Sequence, residues 1–194
     1  ASHTDSPMFK LKNVYEAPAF ETYGRLDTEV YGGTILSSWM DRPLSLAGRA
    51  VVRDGNAYRA ELFCFDRDLM VIPNVAIHMN RTVNSGYAFI PAVDMLPLYS
   101  MWGSSPALSD LLAKQLGCKK ENLVGLDAFV YNRMAGSVWG AAEEFFSAPR
   151  IDNLMCLYGT LCGFLSAKAQ PDSLNLWFSA DNEETGSATK QGAG

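Results

Sequence analysis

Hydrophobic and polar positions divide the chain into a β-rich stretch followed by a segment of α/β character. Met8-Phe9-Lys10-Leu11-Lys12 alternates apolar and basic residues, the period-two signature of a strand, and Pro7 stiffens the polar turn before it. Leu46–Arg53 and Ala57–Phe65 are strand-like runs joined by Asp54-Gly55-Asn56, which predicts a hairpin. In its returning arm Tyr58, Ala60, Leu62 and Cys64 share one face. Met70-Val71-Ile72 reads as a short strand ended by Pro73, and residues 76–81 as one or two helical turns. Ser105-Pro106 predicts an N-cap with proline at the first helical position; Leu108, Leu111, Leu112 and Leu116 recur at helical spacing, and Gly117 closes the helix. Leu123–Tyr131 alternates as a strand, with Leu126, Ala128 and Val130 on one face.

The last third changes period. Asn153–Ala169 predicts an amphipathic helix whose stripe is Leu154, Leu157, Tyr158, Leu161, Phe164 and Leu165. Leu174–Ala180 is apolar on both faces, as in a strand covered on two sides, and Thr185-Gly186-Ser187-Ala188 is placed to open another helix. A β-rich middle between two α/β pieces predicts a domain inserted into another.

Composition narrows the function classes. Of 194 residues 48% are hydrophobic, enough for a packed core, yet no apolar run reaches the length of a membrane helix. A net charge of −5 without a basic cluster argues against nucleic-acid binding. Residues 1–5 carry neither the charged start nor the apolar run of a signal peptide. The four cysteines form no CxxC pair, and Cys156 and Cys162 fall on nearly opposite faces of one helix, out of bridging reach. The expectation is reduced, mostly buried thiols in a cytoplasmic protein. Phe89 and Trp102 are expected on the surface, and Trp39 either there or as a buried aromatic beside an ordinary Asp41–Arg42 ion pair.

Three polar clusters are candidates for chemistry: His3-Thr4-Asp5, Asp152-Asn153 and Asp181-Asn182-Glu183-Glu184. Each lies at a predicted strand end or helix mouth, where ligands collect in open α/β sheets. An imidazole and carboxylates converging there suit zinc-like ions, and paired glutamates divide metal binding from proton transfer. On residue types alone, a solvated turn is the commoner outcome for Asp-Asn-Glu-Glu, and His78 beside Asn80 and Arg81 reads as an ordinary exposed or hydrogen-bonded histidine.

Five segments shift that balance. His3-Thr4-Asp5-Ser6-Pro7 resembles the HTDSP motif of the aspartyl aminopeptidase family. Residues 39–49, WMDRPLSLAGR, are similar to its W-x-D-R-x-L-x-x-A-G-R segment, and residues 72–81, IPNVAIHMNR, to its IPN-x-AIH-x-x-R segment. Residues 148–154, APRIDNL, resemble APRLDN, and residues 181–187, DNEETGS, resemble DNEEVGS. All five stand in family order along nearly the whole chain.

The resemblance implies an α/β fold: part of a three-layer aminopeptidase catalytic domain, residues 1–8 and 137–194, with a β-rich dimerisation domain inserted at 9–136. It implies a metallo-aminopeptidase that removes the N-terminal residue of a peptide, Asp or Glu, using two divalent ions, zinc first and manganese or cobalt next. His3, Asp152 and Glu184 are the implied metal ligands; Glu183 is the general base, and Asp5 orients His3. His78 is implied to reach the active site of a dimer partner and hold substrate, and the Asp152–Asn153 peptide to be cis. Homodimers assembling into a dodecamer, with a peptide substrate and neither membrane nor nucleic acid, complete the expectation. The family's remaining aspartate and histidine ligands have no counterpart among these residues, so this stretch by itself is expected to bind metal weakly and hydrolyse nothing measurable. Two other readings stand beside it: a non-catalytic oligomerisation module or truncated fragment, and a related two-metal aminopeptidase that prefers neutral residues.

Overall fold

A computed structural model describes residues 2–19, 21–168 and 171–193. In chain order the elements are β1 (Ser2–His3), β2 (Met8–Ala19), β3 (Tyr23–Tyr31), β4 (Leu44–Asp54), β5 (Ala57–Cys64), α1 (Pro91–Asp94) and β6 (Leu98–Met101). They continue with α2 (Leu108–Leu116), β7 (Leu123–Asn132), β8 (Ser137–Trp139), β9 (Phe145–Ser147), α3 (Ile151–Ser166) and β10 (Ser179–Ala180). The chain divides into two compact units: Ala1–Pro7, Tyr31–Thr34 and Met134–Gly194 form the first, and Met8–Val30 with Ile35–Arg133 the second.

The second unit is a six-stranded sheet in the order β5-β4-β7-β2-β3-β6. The β4–β5 hairpin turns at the residues its Asp-Gly-Asn sequence predicts, and β4 pairs antiparallel with β7, Leu46 opposite Val130 and Ala50 opposite Leu126. Phe9, Leu26, Leu44, Leu46, Ala128 and Val130 meet Leu108 and Leu112 of α2 in one buried core. Period-two residues on the strands and period-3.6 residues on α2 each supply one wall of it. Leu46 is fully buried there, so Leu46→Ala is expected to cost about 2–5 kcal/mol. A lowered urea midpoint checks this; an unchanged midpoint would mean the cavity closes without loss.

Several local expectations meet a different tertiary answer. The cap of α2 is Ala107, not Ser105, and Gly117 closes it with φ 62°. The first free amides are satisfied from elsewhere: Leu108 N–H donates to Glu16 Oε1 of β2 at 2.6 Å, and Ala107 N–H to Asp110 Oδ2 at 3.2 Å. A carboxylate delivered by another strand thus replaces the local hydroxyl cap. Residues 76–81 form turns, not helix, and residues 70–72 only isolated bridges. In β5 the face of Tyr58, Ala60, Leu62 and Cys64 points outward, while Phe63 enters the core. Period two identifies two faces but not which one is covered. Trp39 is half-buried against Phe9, with rings 5.1 Å apart edge to face, and Phe89 also packs on the core; Trp102 is exposed as expected.

In the first unit β1 and β10 pair in parallel, Ser2 opposite Ser179 and His3 opposite Ala180, and α3 lies against β1. The strand expected over 174–180 is confined to Ser179–Ala180, and the turn of helix after it is a 3-10 turn at Glu183–Thr185. The helix expected over 153–169 spans Ile151–Ser166, its expected end at Ala169 lying outside the described residues. Its apolar stripe is largely exposed, because no described element of this chain covers it. Cys156, Cys162 and Cys64 are likewise exposed and Cys118 half-buried; all four are free thiols, not the mostly buried set expected. Among the described residues no helix is long and apolar enough to cross a membrane.

Candidate metal centre

Two parallel strands ending side by side create the site. Thr4 N–H donates to Ala180 O at 2.9 Å, so the residues after β1 and after β10 leave the sheet together at its carboxyl end. His3 and Asp5 thereby face Asp181–Glu184, although 175 or more positions separate them in sequence.

Asp5 organises what converges there. His3 Nδ1 lies 3.0 Å from the Asp5 carbonyl oxygen and 3.3 Å from Asp5 Oδ1. Either acceptor places the proton on Nδ1 and leaves the Nε2 lone pair free to ligate. Asp5 Oδ1 also accepts the Glu183 N–H at 3.1 Å, and Oδ2 accepts the Glu184 N–H at 3.0 Å and the Tyr31 hydroxyl at 2.9 Å. Burial of the Asp5 carboxyl opposes its ionisation, but the Glu184 amide, the Tyr31 hydroxyl and the Glu183 amide together outweigh this and hold its pKa below the ordinary value. The Tyr31 phenol is pushed well above its own usual value by burial and by this bond.

The opposite face of the imidazole meets carboxylates. Nε2 lies 3.5 Å from Asp152 Oδ1 and 3.6 Å from Glu183 Oε2. His3, Glu183 and Glu184 each offer one ligand atom within 4.8 Å of the others. Glu184 is raised above the usual carboxylate range by burial, against the Gly33 N–H that lowers it and the Asp5 charge that raises it further. Asp152 is placed at the irregular start of α3, where Ser6 Oγ donates to its carbonyl at 3.2 Å and its carboxylate stays open, 84% exposed. The Asp152–Asn153 peptide is cis, as the resemblance implies. Ser187 Oγ donates to Glu183 Oε1.

The donor chemistry fits a zinc-type ion. An oriented imidazole nitrogen among carboxylate oxygens, with the other ring nitrogen tied to a carbonyl and an aspartate, is the usual way such ions are held. The structure thus brings His3, Asp5, Asp152, Glu183 and Glu184 together. His78 belongs to the second unit, exposed on a turn. In the segment before that turn, Asp41 Oδ1 accepts the Asn74 N–H at 2.8 Å, and Asp41 N–H donates to Ile72 O at 2.9 Å, so residues 39–42 and 72–74 brace one another. Tyr31 and Gly33 were not legible as site residues, whereas Asn182, whose Oδ1 is 3.1 Å from the Tyr31 hydroxyl, lies in a cluster the sequence singles out. In one dimension Tyr-Gly-Gly after a strand is plain turn chemistry.

Comparison with known proteins shows the family. Residues 1–194 match the model of the family described as "Aminopeptidase I zinc metalloprotease (M18)", and the chain belongs to that family. A "Probable M18 family aminopeptidase 2" of Clostridium acetobutylicum is 43% identical over 197 residues, 98% of this chain and 45% of that protein. An "Aspartyl aminopeptidase" of Dictyostelium discoideum is 30% identical over 231 residues, 100% of this chain and 48% of that protein. Among solved structures, Chaetomium thermophilum mApe1 aligns with a TM-score of 0.83 at 26% identity, covering 98% of this chain and 47% of that one. An S. cerevisiae mApe1 dodecamer aligns with a TM-score of 0.72 at 25% identity, covering 99% of this chain and 45% of that one. The chain spans about half the length of the relatives it matches. The fold is accordingly α/β, a mainly antiparallel sheet together with part of an aminopeptidase catalytic domain.

Proposed function

We propose that this chain is part of a cytoplasmic, binuclear metallo-aminopeptidase that hydrolyses the N-terminal residue, Asp or Glu, from peptides. The observation that carries the reading is His3: its Nδ1 is tied down by Asp5 while Nε2 faces Asp152 and Glu183 at 3.5 and 3.6 Å. His3, Asp152 and Glu184 would hold two divalent ions, with zinc supported by the family description. Such ions, when bound, polarise the scissile carbonyl and acidify water.

The chain's own residues supply the rest. Asp5 keeps His3 in one tautomer and, through the Glu183 and Glu184 amides, fixes the backbone from which both glutamates project. Glu183, half-exposed and facing the cluster, takes a proton from the attacking water and passes it to the leaving amine. The second unit is the inserted dimerisation domain, and the exposed Tyr58 and Leu62 on edge strand β5 supply apolar surface for a partner. A dodecamer follows the assembly named for the yeast relative, and the acidic preference follows the Dictyostelium one.

Two measurements on the full-length protein test this reading. Peptides beginning with Asp or Glu are expected to be cleaved roughly tenfold or more better, in kcat/KM, than a Leu peptide; the reverse order would move the protein to the neutral-residue group. His78→Phe is expected to lower turnover by about 100-fold with metal content intact, since His78 acts on substrate from the partner. Metal loss in that variant would remove the role given to it.

A further inference from the structure

A four-residue excursion, Tyr31–Thr34, belongs to the first unit although the chain on both sides of it belongs to the second. It touches the site at two separate points. The Tyr31 hydroxyl lies 2.9 Å from Asp5 Oδ2, and its single proton goes to this charged acceptor. Asp5 is the group that holds His3 Nδ1. Two residues on, the Gly33 N–H favours the charged form of the Glu184 carboxylate. Between them Gly32 adopts φ +77°, and a Cβ there would fall 2.8 Å from Glu184 Cβ and 2.9 Å from its Oε2. A side chain at position 32 would therefore occupy the place of the Glu184 side chain.

We propose that Tyr31-Gly32-Gly33 is a positioning strap for the metal centre: Tyr31 sets His3 through Asp5, and the bare backbone at Gly32 and Gly33 seats Glu184. The strap rests on the metal-binding reading above. The physical reason is economy of conformations. His3 and Glu184 sit on different chain segments, and a ligand pair binds tightly only when both members are held before the ion arrives. One short segment bonded to the supports of both removes their relative freedom. Tyr31 acts through Asp5, which accepts its hydroxyl.

Zinc alone, titrated into the metal-stripped full-length protein against a chromophoric chelator, tests this. Tyr31→Phe deletes one hydroxyl and Gly32→Ala inserts one methyl; each is expected to weaken zinc affinity by about tenfold or more. Tyr31→Phe is also expected to leave the melting temperature of the metal-free protein within about 2 °C of the parent, which separates positioning from general destabilisation. His3→Ala serves as the reference. Parent-like zinc affinity in either strap variant, while His3→Ala binds weakly, overturns the strap alone. Parent-like affinity in His3→Ala overturns the metal reading beneath it.

Discussion

Glu183→Gln in the full-length protein is expected to reduce turnover by about 1,000-fold while metal content stays at the parent level. The amide keeps the size and shape of the carboxylate but accepts no proton, and general base catalysis contributes roughly 100- to 10,000-fold. Glu183 is suited to the task by position: Oε2 is 3.6 Å from His3 Nε2, Oε1 accepts the Ser187 hydroxyl, and its backbone amide is held by Asp5. Metal analysis by atomic emission and steady-state kinetics on the same sample read both quantities. The pairing matters because Glu183, and not Asp152, is grouped with His3 and Glu184 by ligand-atom distance. A variant that loses metal along with activity would make Glu183 a ligand, and activity within tenfold of the parent would remove the base assignment.

Asp5→Asn is expected to weaken zinc affinity by about 100-fold, a larger effect than any other residue that is not itself a ligand. Asp5 is nearly inaccessible and accepts three hydrogen bonds at its two oxygens, from Glu183, Glu184 and Tyr31. An amide retains one acceptor and turns an NH2 group toward the remaining donors, so at least one buried N–H or O–H is left without a partner. His3 also loses the negative charge beside Nδ1, which lowers the basicity of Nε2. Chelator competition on metal-stripped protein measures the affinity. Parent-like binding would mean that the His3 orientation is set by the Asp5 carbonyl alone.

Much of the site was legible because its ligand-type residues are unusual in kind and placed at element ends. His3, Asp5, Asp152, Glu183 and Glu184 all stand where the period-two or period-3.6 pattern breaks, and the five motif segments group them. Their convergence was not legible. It arises from two-residue parallel pairing of β1 with β10, a contact that leaves almost no mark on local sequence. Tyr31 was invisible for the same reason: its phenol reads as a strand-end aromatic until Asp5 is placed beside it.

The residues alone determined the parts that depend on short range: the Asp54-Gly55-Asn56 turn, the α2 stripe with its Gly117 stop, and the alternation of β7. These follow from backbone preference and side-chain period, which act within a few residues. Tertiary structure alone decided which face of β5 is covered, that Glu16 caps α2 in place of Ser105, and that the apolar run before Ser179 is not strand. For β5 and α2 the sequence offers two local solutions of similar energy and a partner from a distant segment selects one; the run before Ser179 is left exposed, with β1 pairing only Ser179 and Ala180.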